Sequence, residues 1–124
     1  MNPAWLLLAL ASPLLSGPVD NCSSLLGSLS VELRIAHALP PDRRTTFSCP
    51  RHTEALLGAS RQRVLNALGT PDATGDGEGH GSSLWSYHFS GRGADARLAA
   101  GTPVLSFQFD SRFEVSVVSC ERSR

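Results

Sequence analysis

The stretch "LLGASRQRVLNALGTPDATG", Leu56 to Gly75, carries the reading of the fold. Ser60 is placed to cap a helix whose body runs Arg61 to Leu68. Val64, Leu65 and Leu68 fall on one side of it, with Ala67 beside them. Gly69 suits the left-handed residue that closes a helix, and Pro71 prevents continuation. So short a helix does not hold by itself, because nucleation costs more than a few hydrogen bonds return. Arg61 and Arg63 add to the difficulty. They sit in the first turn, where the helix dipole disfavours cations by about 0.3 kcal/mol each. The helix must lean on something.

What it leans on is written downstream. In "SLWSYHFSG", Trp85, Tyr87 and Phe89 alternate with Leu84, Ser86 and His88. In "VLSFQFD", Leu105, Phe107 and Phe109 share a face, and in "FEVSVVSC" Phe113, Val115 and Val117 do so, with "DSR" as a tight turn between them. Three alternating runs predict an antiparallel sheet with one face on a core and the other on solvent. Upstream, "CPRHTEALLG" is compatible with a further short helix, with Pro50 in its first turn and Gly58 as its stop. The expectation is an α+β fold, two short helices packed on a three-stranded antiparallel sheet. In chain order it is a helix-helix-strand-strand-strand two-layer sandwich over residues 49–124.

The rest of the chain is less regular. Residues 23–39 carry Leu25, Leu26, Leu29, Leu33 and Ala36 on one helical face. Leu29, Val31, Leu33 and Ile35 also alternate as a strand would. The helix is preferred because the apolar pattern starts at Leu25, and residues 17–48 are left as a segment of uncertain structure. Pro40-Pro41 ends it, and "PPDRRTTFSCP" reads as a linker or extended segment. Residues 1–16 hold an apolar run of signal-peptide length, too short to span a bilayer. No Lys or Arg precedes that run. Asp20 and Asn21 precede Cys22 where lipoprotein signals carry small or apolar residues, which speaks against a lipid anchor there.

With 124 residues there is room for one domain, and a formal net charge of zero makes no electrostatic case for nucleic acid. The 11 basic side chains are all arginine, which fits either guanidinium recognition of anions or a GC-rich genome, the plainer reading. The three cysteines allow three single-bridge pairings in an oxidising compartment. Cys49 with Cys120 is favoured, closing a loop of about 70 residues for roughly 4 kcal/mol.

The ordered residues Gly58, Ser60, Val64, Leu68-Gly69-Thr70-Pro71, Trp85-Ser86-Tyr87 and Phe109-Asp110 resemble the SmpA/OmlA (BamE-like) family of small bacterial envelope proteins. The resemblance covers about Cys49 to Cys120. It implies the fold shared with β-lactamase inhibitor proteins and a place in the periplasm or outer envelope, with a role in outer-membrane assembly or inhibition. The matched residues form the fold, so no catalytic residue is implied. Arg63 departs from the family, which favours Gln or Glu before the helix valine.

Chemistry is sparse. Asp76, Glu78 and His80 in "GDGEGHG" could contribute to a metal site, but the spacing of a calcium loop or a zinc knuckle is missing. A solvated loop is the plainer reading. Cys49 with His52, or Cys120 with His88, could form a thiol nucleophile only if unbridged. The aromatic face reads as core in preference to a surface patch. Of the opposite face, Ser86, His88, Gln108, Glu114 and Ser116 are the candidate contacts, helped by the loops at 72–83 and 90–103. The expected function is therefore non-enzymatic binding of another envelope protein, with no cofactor, no nucleic acid and no membrane span. The alternative is a small-ligand or metal module using the Gly-rich loop 75–82.

Overall fold

The structure is a computed structural model of the 124-residue chain, and it describes residues 20–40, 42–77, 83–92 and 98–124. The proposed signal segment 1–16 lies outside these residues. So do Glu78 and His80.

The helix read between Arg61 and Leu68, here α2, is present with those bounds. The Ser60 side chain accepts the Arg63 N–H at 3.0 Å. Gly69 takes φ 79° and donates its N–H to Leu65 O at 2.8 Å, ending the helix in a conformation that a side chain would resist. Val64 and Leu68 are buried.

The first helix is not the one expected at 49–58. That stretch holds only a 3-10 turn, Glu54–Leu56, since Pro50 and Gly58 bracket too few residues to repay helix nucleation. The larger helix is α1, Asn21–His37, which spans 17 residues of the segment left uncertain. It buries Leu26, Leu29, Leu33 and Ala36, at helical spacing, and leaves Val31 and Ile35 about half exposed. Helical periodicity thus prevails over the competing alternation. Asp20 caps α1 by accepting the N–H groups of Cys22 and Ser23. The α1 stripe belongs to the same core as the residues after Cys49.

The sheet has four antiparallel strands in the order β1-β2-β3-β4: Ala73–Asp76, Ser83–His88, Pro103–Phe109 and Val115–Arg122. The expectation of three strands is corrected by β1. This short, fully exposed edge strand pairs Ala73 with Ser86 and Asp76 with Ser83. Its sequence, Ala-Thr-Gly-Asp, has no apolar alternation to announce it, because an edge strand with nothing to bury is held by its ladder alone.

Helices and inner sheet face enclose one core. Tyr87, Leu105, Phe107 and Phe109 have no exposed surface, and Phe89 and Val115 are buried beside them. Each buried Phe or Leu contributes about 1.5–3 kcal/mol. Phe47, from the extended segment before Cys49, stacks on Phe89 at 3.9 Å between centroids. The sulfurs of Cys49 and Cys120 are bonded, with Cα atoms 5.6 Å apart.

A bulge corrects the reading of the last strand. Phe109 faces Val115, yet Gln108 faces Val117, so Ser116 is an extra residue on β4. Beyond it the alternation changes phase. Val118 and Cys120 turn to the core, while Val117 is 51% exposed. The expected inner trio Phe113, Val115 and Val117 reduces to Val115. Without this phase change Cys120 would point away from Cys49.

Candidate binding surface

The sheet's second face is built by the residues that alternate with the core set. Cross-strand register arranges them in rows. Ala73, Ser86, Ser106 and Ser119 form one, with the Ser86 and Ser106 hydroxyls 3.0 Å apart. Gly75, Leu84, Gln108 and Val117 form the row on one side, and His88, Val104 and Glu121 the row on the other. None of these residues is buried. Three small hydroxyl side chains between rows of larger ones make a shallow trough across the sheet.

Of the five contact residues expected, Ser86, His88 and Gln108 lie on this face. Glu114 and Ser116 do not share it as regular strand positions. Glu114 belongs to the β3–β4 turn and bridges to Ser60, with its carboxylate toward Arg112 at 3.7 Å, and Ser116 is the bulge, bonded to Gln108 O. Neither is buried, and the bulge, which leaves no trace in a binary pattern, sets Ser116 beside Val117 between the inward-facing Val115 and Val118. Asp76 ends β1, and among the described residues no group of three or more His, Cys, Asp or Glu side chains could hold a metal ion. Both disulfide cysteines lack the thiolate that nucleophilic catalysis needs. Cys22 is the free cysteine, half-buried in the first turn of α1.

A polar clasp supports one end of the trough. The Asp72 carboxylate accepts the His88 N–H at 2.7 Å and lies 3.2 Å from His37 Nε2. Its other oxygen accepts from Arg92 Nε at 3.1 Å. His37 Nε2 is also 3.0 Å from His88 O, a contact that requires the N–H on that nitrogen. Both backbone groups of His88 are thereby engaged. The neighbouring Tyr87 hydroxyl donates to Gly69 O at 2.8 Å. Burial first, and then the Asp72 charge, raise its pKa above the ordinary tyrosine value.

The two arginines that looked misplaced at the start of α2 each have a partner. Arg63 reaches Asp20 at 2.5 Å and the Ser23 hydroxyl at 2.6 Å, so a residue of α2 braces the cap of α1. That guanidinium, with the Ser23 N–H, holds the exposed Asp20 carboxyl below its usual range. Arg61 lies over the Phe113 ring at 4.1 Å and 5.9 Å from the Trp85 centroid. Its N–H donates to Phe113 O, while Gly58 and Ala59 exchange hydrogen bonds with Val115, stitching the entry of α2 to the β3–β4 turn. Phe113 itself has φ 61°, a left-handed conformation costing a bulky residue about 1–2 kcal/mol. Phe113 is 52% exposed. The sequence signal for this was the turn: Asp110, accepting the N–H groups of Arg112 and Glu114, sets a hairpin loop whose last residue is left-handed.

No family model matches the chain, and no curated protein matches it. Among the described residues no helix is long and apolar enough to cross a membrane. The chain is structurally similar to a protein assigned as the osmotically inducible lipoprotein OsmE and characterised by X-ray crystallography. The match is 24% identical, covers 53% of this chain and 68% of that one, and has a TM-score of 0.38. A likeness of that strength is one of chain shape, and nothing about function is drawn from it.

Proposed function

We propose that this is an exported, non-enzymatic protein of the SmpA/OmlA (BamE-like) kind, which works in the cell envelope by binding another protein. The observation that carries the reading is the open sheet face. One side of β2, β3 and β4 packs on the core. The other presents a serine trough flanked by Leu84, Val104 and Val117, a flat and partly apolar surface suited to a partner's helix or strand. The disulfide supports the compartment, because such bonds persist outside the reducing cytosol. The motif residues support the family: Ser60, Val64, Leu68 and Gly69 each cap, pack or close α2.

The test is fractionation followed by site-specific photo-cross-linking from Ser86 and Ser106. The reading expects an envelope location and a discrete adduct from both positions, absent when the crosslinker replaces exposed Gln62 on α2. A cytosolic location, or adducts that are the same from Gln62, would refute it.

A further inference from the structure

We propose that the Arg61 guanidinium, held over the Phe113 and Trp85 rings, is a docking point for a carboxylate-bearing segment of a partner protein. The inference rests on the reading that the protein works by binding. It adds a second surface, at the α2 end of the molecule, made of other residues than the serine trough.

The first ground is charge. The other guanidiniums of this region are engaged: Arg63 with Asp20, and Arg112 with Glu114. Among the described residues Arg61 forms no ion pair, and its side-chain partners are the two rings. Asp110, the remaining carboxylate of the β3–β4 turn, accepts the Arg112 and Glu114 N–H groups, so among the described residues Arg61 is left without an ionic partner. A guanidinium stacked on a ring keeps its N–H donors in its own plane. It can therefore grip both oxygens of one carboxylate without leaving the aromatic face.

The second ground is the ring. Phe113 is half exposed, lies outside the buried core and occupies a left-handed backbone position that glycine would fill without strain. Among the described residues its one ring contact is Arg61. Strained positions of this kind concentrate where a side chain must be aimed, and aromatic residues with arginine are enriched at the energetic centres of interfaces. A carboxylate next to an apolar side chain matches both halves of the unit. A lipid phosphate would match the guanidinium alone, so the acidic segment is the occupant argued for.

The experiment is an NMR titration of the disulfide-bonded protein with acetyl-Glu-Leu-Glu-amide, with acetyl-Gln-Leu-Gln-amide, and with phosphatidylglycerol vesicles. The acidic peptide is expected to shift the Arg61 side-chain N–H and the Trp85 indole N–H. Arg61→Gln should weaken its binding about tenfold, and Phe113→Gly should weaken it severalfold while relieving backbone strain, so both variants stay folded. Equal binding of the neutral peptide, unchanged binding by Arg61→Gln, or a response to vesicles alone would each overturn the proposal. Scoring the sheet-face adducts in the same variants separates the two readings. Adducts that persist without peptide binding remove this site only.

Discussion

Replacing Cys49 and Cys120 together with serine tests the fold at its most consequential covalent contact. The bridge joins residues 71 apart in sequence. In the chain-entropy model a loop of that length withholds about 4 kcal/mol of freedom from the unfolded chain. A domain of this size is stable by about 5–15 kcal/mol in total, so the double variant should lose a quarter or more of its stability. The corresponding fall in melting temperature is about 15–30 °C, at about 4–8 °C per kcal/mol. Urea unfolding followed by tryptophan fluorescence and circular dichroism measures the loss, with Cys22→Ser as the control. Cys22 is unbridged, so that control should unfold at the wild-type midpoint. A double variant with an unchanged midpoint, or a Cys22→Ser protein as weak as the double variant, would refute the reasoning. Reducing agent should lower the wild type to the level of the double variant and leave that variant unmoved.

Three further outcomes follow from particular contacts. Deleting Ser116 should preserve the disulfide, because Val117 then follows Val115 in regular alternation and Val118 and Cys120 still face inward; thiol titration should detect Cys22 alone, and additional free thiols would show that the bulge is needed for pairing. Asp72→Asn leaves one acceptor oxygen for donors that now engage two, and should cost about 2 kcal/mol in urea unfolding, with faster exchange of the His88 amide; an unchanged midpoint would mean the clasp is idle. Tyr87 is the chain's one tyrosine, so absorbance at 295 nm reports it alone. Its raised pKa means that the unfolded chain loses this proton first, so stability is fully present below the ordinary tyrosine value of about 10 and falls as pH rises beyond it. Ionisation at the ordinary value in the native state would refute the buried hydroxyl.

A fourth concerns close approach. Gly91 passes so near the Leu39 carbonyl that a Cβ would overlap it, and backbone cannot yield as a side-chain tip can. Gly91→Ala should cost about 1–3 kcal/mol in urea unfolding; a neutral result would show that the connection after β2 moves freely off the segment that follows α1.

The candidate surface was half legible. Ser86, His88 and Gln108 could be assigned to the open face because β2 and β3 alternate without interruption. The setting of Glu114 and Ser116 was not legible, since the left-handed turn residue before the one and the bulge at the other break a period of two. The Arg61–Phe113 unit was invisible for a related reason. Its members lie 52 residues apart in the chain and meet only because the entry of α2 pairs with the β3–β4 turn.

Sequence by itself determined α2 to the residue, because a cap, an apolar face and a left-handed stop are all local and all lie within a dozen positions. It also determined the inner faces of β2 and β3, while it favoured the Cys49–Cys120 pair without deciding among the three pairings. Tertiary structure decided what local patterns leave degenerate. The core favoured the helical reading of Asn21–His37, because Leu26, Leu29, Leu33 and Ala36 can be buried together only on a helix. A neighbouring ladder made a strand of Ala73–Asp76, which has nothing of its own to bury. A bulge of one residue set the phase of β4, and with it which way Cys120 faces. Each of these depends on contacts between distant segments, whose energy no window of neighbouring residues contains.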